Sequence, residues 1–161
     1  MCIRDRDGSE RCEVTCIFCE ILAGRAEATF VHRDAVCAAF MDIQPVNPGH
    51  VLVVPVRHGP DLAATHPEDW KHIAAVGQRV AAALRASDLK CEGVNLLLAD
   101  GAAAGQEVFH THLHVFPRFA GDGFGLRFAD SYGDLPAREE LEGVGARLRR
   151  TFETAAPEDT A

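Results

Sequence analysis

Three histidines alternate with other residues in one short segment: His110, His112 and His114. In an extended strand, residues two apart point to the same face and lie about 6.6 Å from each other. We therefore expect a strand over residues 108–116 that presents all three imidazoles on one face, with Thr111 and Leu113 buried on the other. One strand histidine would be ordinary, but three in strict alternation predict a site where imidazole does chemistry.

Two kinds of chemistry suit these histidines. All three could bind one catalytic metal, as in three-histidine zinc sites, or one could act as a nucleophile that its neighbours orient. The preceding residues favour the nucleophile, because Gly105 lets a phosphate approach the backbone closely. Backbone N–H groups and the Gln106 side chain can then donate to phosphate oxygens. Arg118 either offsets phosphate charge or is a solvated surface residue.

The segment that contains the histidines resembles the signature of the histidine triad (HIT) family of nucleotide hydrolases and transferases. The matching residues are GQEVFHTHLHVFPR at positions 105–118, FMDIQP at 40–45, PGHVLVVP at 48–55, and His58. The resemblance covers about residues 16–118. Two positions depart from the family pattern: Thr111 stands at a usually apolar position, and Ala99 stands where many members carry Asn. Asn95 lies earlier in the chain and is not assumed to supply that polar contact.

The resemblance implies that His112 attacks the α-phosphorus of a nucleotide and forms a nucleotidyl-histidine intermediate, which water then hydrolyses. His114 would contact the phosphate or assist the leaving group, and His110 would complete the triad. Donors at Gly105, Gln106, Glu107 and Val108 would stabilise the charge on oxygen. The implied substrates are nucleoside phosphoramidates or dinucleotide polyphosphates. Transfer of the nucleotide to a phosphorylated acceptor, or nucleotide binding without catalysis, remain the alternatives.

The nucleoside pocket is implied by the same resemblance at Asp42 and Ile43. An aspartate can accept hydrogen bonds from ribose hydroxyls, and an isoleucine can pack on a base. A turn-capping role is the alternative for Asp42.

A second group of residues predicts a metal site. Cys16 and Cys19 form a C-x-x-C pair, which can supply two thiolates to zinc, although buried cysteines or a redox pair are alternatives. In zinc-containing family members the matching positions of His58 and His110 complete the ligand set, so the resemblance implies a structural zinc ion. His50 competes for the same place.

Hydrophobic patterning predicts the elements that position these residues. Apolar runs indicate strands at residues 29–33, 36–41, 51–56, 94–99 and 108–116, of which 51–56 and 94–99 should be buried. Helices are expected near residues 16–23, at 67–87 and at 136–154. The order indicates an α+β domain, HIT-like, with a mainly antiparallel sheet of about five strands, a long helix and a C-terminal helix.

Length and charge limit the number of domains and the kinds of partner that the protein can have. The chain has 161 residues, a formal net charge of −8 and six cysteines, and we expect one domain over residues 14–154 between flexible tails at 1–13 and 155–161. The acidic balance argues against general nucleic-acid or membrane-surface binding. No apolar run is long enough to span a bilayer and no signal peptide is recognisable, so we expect a cytoplasmic protein. The resemblance also implies a homodimer.

Overall fold

The computed structural model describes residues 2–4, 10–12 and 16–154. Two strands at the start of the chain, β1 (Cys2–Arg4) and β2 (Glu10–Cys12), pair antiparallel. Strands of three residues are too short to show a sequence period, so the pattern of residues 1–13 did not predict them. The other residues of 1–13 and residues 155–161 lie outside the described residues, and the flexibility of both expected tails stays a prediction.

The central feature is a five-stranded sheet in which every neighbouring pair of strands is antiparallel. Its strands are β3 (Phe30–Arg33), β4 (Cys37–Met41), β5 (Val51–Pro55), β6 (Gly93–Leu98) and β7 (Leu113–Arg118). They lie in the order β3-β4-β5-β7-β6. The expected α+β fold with a five-stranded antiparallel sheet is confirmed.

A helix packs on each face of this sheet. The long helix α2 (Pro67–Ala86) buries its apolar stripe against one face. Alternate residues of β4 and β5 on the other face, such as Phe40 and Leu52, pack against the short helix α1 (Ile17–Leu22). Strands β4 and β5 therefore have two buried faces, which explains their nearly continuous apolar runs.

The long helix approaches the sheet closely at Gly77. A Cβ atom at this position would lie 2.7 Å from Cδ2 of Leu113 and 3.6 Å from Cγ2 of Val115. Both contacts belong to β7. The glycine thus lets α2 pack directly on the strand that follows His112.

Two expectations about strands were wrong. β7 begins at Leu113 rather than at residue 108, because the register that pairs Val53 with Leu113 would next require hydrogen bonding at Pro55, which has no N–H to donate. The chain before Leu113 bonds to a loop instead, with Thr111 N–H donating to Gly59 O at 2.7 Å. β6 was expected to be buried, but it lies at the edge of the sheet, and Leu96 and Leu97 are exposed.

The chain divides into two units, residues 1–124 and 125–161. The first contains the sheet, and the second contains a short 3₁₀ helix (Asp130–Gly133) and helix α3 (Arg138–Thr154). The expected domain at 14–154 spans both units, and its boundaries stay a prediction. Among the described helices, none has the length and apolar character needed to cross a membrane.

Candidate active site

The hydrogen bond made by His112 determines which of its ring nitrogens carries the proton. Nδ1 lies 2.7 Å from the carbonyl oxygen of His110, and a carbonyl can only accept, so Nδ1–H is the donor. Nε2 of the neutral ring then carries a free lone pair. Burial lowers the pKa of His112 below the ordinary value for histidine, which keeps the ring neutral at pH 7. A neutral, oriented imidazole with a free nitrogen is suited to nucleophilic attack.

His114 is oriented by His50, which the sequence had suggested only as a competing metal ligand. Val46 N–H donates to Nδ1 of His50 at 3.1 Å, so the proton of the neutral ring is on Nε2. Nε2 of His50 then donates to Nδ1 of His114 at 3.0 Å. This leaves His114 with a proton on Nε2, available to a substrate oxygen.

Burial and neighbouring rings keep this pair neutral. Burial, and then the nearby His112 and His50, lower the pKa of His114 to about 4. Burial also lowers the pKa of His50, although the carboxylate of Asp42, 3.4 Å from its Nδ1, acts in the opposite direction. Each of these imidazoles therefore has one donor and one acceptor nitrogen near pH 7.

One ring nitrogen of His110 faces the two cysteines and His58. Its Nε2–H donates to Pro55 O at 2.9 Å, so Nδ1 carries the lone pair. That nitrogen lies 3.4 Å from Cys16 Sγ, 3.6 Å from Cys19 Sγ and 3.2 Å from His58 Nδ1. A carbonyl that holds the far nitrogen of an imidazole is the usual second partner of a metal-ligating histidine.

The four expected metal ligands come together in the structure. Cys16, Cys19, His58 and His110 each offer one ligand atom, and the four atoms lie within 4.8 Å of one another. Two sulfurs and two imidazole nitrogens match the donor set of a structural zinc site. His50 is not in this group, because its ring belongs with Asp42 and His114.

Phe18 connects this group to His112. It lies on α1 between the two cysteines and packs edge-on against the rings of His110 and His112, at centroid distances of 5.9 and 5.1 Å. The sequence predicted a helix here but gave no sign that this aromatic side chain touches the triad. The helix that begins directly after Cys16 and contains Cys19 therefore also contacts the ring of His112.

The loop before the histidines is held by its own hydrogen bonds. Gln106 is buried; its side-chain oxygen accepts from Gly101 N–H, and its amide donates to Pro60 O and Val108 O. Both amide hydrogens are therefore used within the protein, so the side chain shapes the loop instead of offering a free donor. Gly105 takes a left-handed conformation with φ +89° and has open space where a Cβ would stand.

The backbone donors of this loop fall into two pairs. The N–H groups of Gly105 and Gln106 bond to carbonyls of the loop itself. Those of Glu107 and Val108 have no acceptor among the described residues. Of the four expected donor positions, the last two are thus the ones with N–H groups free for a ligand.

The remaining expected site residues differ in exposure. Ile43 is 92% exposed, so its apolar surface is free to contact a ligand. Asp42 accepts from Gln44 N–H at 2.9 Å through Oδ1, which is the turn contact considered as its alternative role, while Oδ2 lies beside His50. Arg118 forms an ion pair with Asp122 and also contacts Asn95, so its charge is already balanced within the protein.

Thr111, which departs from the family pattern, is accommodated without an unpaired hydroxyl. It is buried, and its Oγ1 lies 2.7 Å from Oγ1 of Thr65. A hydroxyl partner removes most of the cost of burying a polar group. The departure therefore does not disturb the segment that carries the histidines.

The fold and the site define an α+β protein with a histidine triad beside an antiparallel sheet. A family model described as the HIT domain matches residues 23–121, and the chain belongs to this family of nucleotide-binding hydrolases and transferases.

Relatives support this assignment over most of the chain. A HIT-like protein of Mycobacterium tuberculosis is 40% identical over 147 residues, which are 91% of this chain and 96% of the relative. A crystal structure of a HIT family protein from Bacillus anthracis is 37% identical, with a TM-score of 0.78 over 86% of this chain and 97% of that one. A zinc-bound histidine triad family protein from Mycobacterium smegmatis is 42% identical, with a TM-score of 0.67 over 85% and 97%.

Proposed function

We propose that the protein hydrolyses nucleoside phosphoramidates or dinucleotide polyphosphates at the α-phosphate, with His112 as the nucleophile. The observation that carries this proposal is the hydrogen bond from His112 Nδ1–H to His110 O, 2.7 Å long, which leaves Nε2 unprotonated. Family membership supplies the substrate class, a nucleotide. The exposed Ile43 and the neighbouring Asp42 are proposed to contact the base and the ribose.

The reaction has two steps. Nε2 of His112 attacks the α-phosphorus, and the bond from phosphorus to the leaving group breaks as the leaving group takes a proton from water. Nε2–H of His114 is proposed to donate a hydrogen bond to a phosphate oxygen during this step. A water molecule then attacks the same phosphorus and loses a proton to solvent. The N–P bond breaks, His112 returns to a neutral imidazole, and the nucleoside monophosphate is released. The free N–H groups of Glu107 and Val108 are proposed to stabilise the charge on the phosphoryl oxygens, with Gly105 and Gln106 shaping the loop.

The test is a panel of adenosine and guanosine phosphoramidates and dinucleotide polyphosphates, assayed with wild type and His112→Ala. We expect hydrolysis of at least one class by wild type and a loss of at least about a thousand-fold in kcat for the variant, as for loss of other catalytic nucleophiles. A His112→Ala protein with the wild-type rate would refute the assignment. Product analysis with a phosphorylated acceptor present separates hydrolysis from nucleotidyl transfer.

A structural zinc ion is proposed at Cys16, Cys19, His58 and His110. The support is the convergence of four ligand atoms within 4.8 Å, together with the bond from His110 Nε2–H to Pro55 O, which directs Nδ1 toward the sulfurs. When bound, the ion would brace the chain segment that carries His112 and would take no part in the reaction.

Metal analysis tests the zinc site. Purified wild type should contain close to one zinc per chain at this site, and Cys19→Ala should lose it. Cys91→Ala is the matched control, because Cys91 donates to Gly93 O and lies outside the ligand group. Less than about one zinc for every two wild-type chains would contradict the proposal.

A homodimer through the edge of the sheet is also proposed. β6 is an edge strand, and its exposed Leu96 and Leu97 leave an apolar surface beside unpaired backbone groups. We expect light scattering to give twice the mass of the chain, and Leu96→Lys to shift the population toward monomer. A monomeric wild type at micromolar concentration would contradict this.

A further inference from the structure

A second cluster of ligand-type side chains lies at the turn between β3 and β4. His32 on β3 and His72 on α2 both approach the same carboxylate oxygen, Oδ2 of Asp34, through Nε2, at 2.9 and 2.8 Å. The three residues come from a strand, a turn and a helix. None of them takes part in the reaction proposed above.

The carboxylate of Asp34 is held in place by the backbone of its own turn. Its Oδ1 accepts hydrogen bonds from the N–H groups of Val36 and Cys37, both at 2.8 Å. This leaves Oδ2 as the oxygen that faces the two imidazoles. Bonds of this kind, which fix a ligand from behind, are typical of metal sites and reduce the ordering that binding requires.

The spacing of the ligand atoms is close to that around a metal ion. Neighbouring ligands of a tetrahedral ion with bonds of about 2.0 Å are about 3.3 Å apart. The two N···O distances of 2.9 and 2.8 Å need to open by only a few tenths of an ångström. The ring of His72 must also turn toward His32, because the ligand atoms that all lie within 4.8 Å of one another are those of His32, Asp34 and Cys37. Sγ of Cys37 lies within 4.8 Å of the ligand atoms of His32 and Asp34, on the buried side of the cluster.

The chemistry of these donors selects the class of ion. Imidazole nitrogen suits zinc, nickel and copper, whereas calcium and magnesium take oxygen ligands. The side chains of His32, Asp34 and His72 are 26%, 30% and 39% exposed, so an ion can enter from solvent and water can complete its coordination. The net charge of −8 attracts cations to the protein.

We propose that His32, Asp34 and His72 form a second transition-metal site, separate from the group at Cys16 and Cys19. An ion there links the β3–β4 turn to α2 and so stabilises the fold. The proposal does not depend on the proposed function.

Zinc binding at equilibrium tests this site. The metal-free protein is dialysed against buffered Zn²⁺, and bound zinc per chain is measured for wild type, His72→Ala and His32→Gln. Each variant should bind one zinc fewer per chain than wild type. The test uses the difference in bound zinc per chain between wild type and each variant. This difference is the same whether or not the site at Cys16 and Cys19 is filled.

His66→Asn is the matched control. His66 is exposed, lies at the start of the same helix and caps it by accepting from Glu68 N–H, a role that asparagine also fills. This variant should bind as much zinc as wild type and show the same rise in Tm with added Zn²⁺, whereas His72→Ala should show a smaller rise. Equal zinc content in wild type and His72→Ala would overturn the proposal.

Discussion

The hydrogen bond between His50 and His114 should affect both stability and kcat, and two substitutions of His50 test this. His50 is buried and makes two hydrogen bonds, accepting from Val46 N–H and donating to Nδ1 of His114. His50→Phe keeps an aromatic ring in the same space but removes both bonds. His50→Gln can keep both, because its amide has an oxygen to accept and an N–H group to donate. The two variants therefore separate the hydrogen bonds from packing.

The size of the effect follows from the groups that are left without partners. An unsatisfied buried donor or acceptor costs about 1–3 kcal/mol. Val46 is only half-buried, so water can replace part of its bond. We expect His50→Phe to lose about 2–4 kcal/mol of stability. About 1–2 kcal/mol of this free energy is expected to come from orienting His114 in the transition state. Its loss would lower kcat about 5- to 30-fold.

Urea unfolding and steady-state kinetics on a nucleoside phosphoramidate measure the two quantities. His50→Gln should recover most of the stability and most of kcat. A His50→Phe protein with the wild-type kcat would refute the orienting role. Equal losses of kcat in both variants would also refute it, because the retained hydrogen bonds would then have no effect.

Three further predictions concern other parts of the first unit. Gly77→Ala should destabilise the protein by up to about 2 kcal/mol in urea unfolding, because crowding against Leu113 at 2.7 Å outweighs the gain in helix propensity; a more stable variant would contradict this. Hydrogen bonding to Arg118 lowers the pKa of Asp122, so its contribution to stability should be complete above the ordinary aspartate pKa of about 4 and should fall below it. Asp122→Asn should therefore flatten the fall in Tm with acid, and an unchanged acid profile would disprove the link. Phe18→Leu should lower kcat and leave KM nearly unchanged, because the ring of His112 loses its aromatic neighbour. A change in KM alone would contradict the role of Phe18 in holding His112.

Local patterns in the sequence were sufficient to predict most of the sheet and the long helix. Apolar runs with turn residues between them place β4, β5 and α2 within a residue or two of their observed bounds. The predicted start of β7 was wrong because it depends on a residue in another strand. Val53 lies opposite Leu113, and Pro55, two residues further along β5, has no N–H to continue the ladder. β6 was judged buried from its apolar run, whereas its place at the edge of the sheet depends on the order of all five strands.

In the candidate site, too, the features set by local sequence were predicted and those set by contacts between distant elements were not. Spacing alone identified His110, His112 and His114, and the resemblance identified the partners of Cys16 and Cys19. The role of His50 could not be read from the sequence, because it depends on the strand register that sets Leu52 opposite His114. The cluster at Asp34 was missed for a similar reason, since His72 lies 38 residues away on another element.

The covalent intermediate is the most direct test of the central claim. Wild type is mixed with an adenosine phosphoramidate or dinucleotide polyphosphate that it hydrolyses, quenched within one turnover at alkaline pH to preserve the acid-labile N–P bond, and digested for mass spectrometry. The account predicts one added nucleoside monophosphoryl group, located on His112 and absent from His112→Ala. Turnover with the group on a different residue, or with none on His112 at any time within the first turnover, would contradict it.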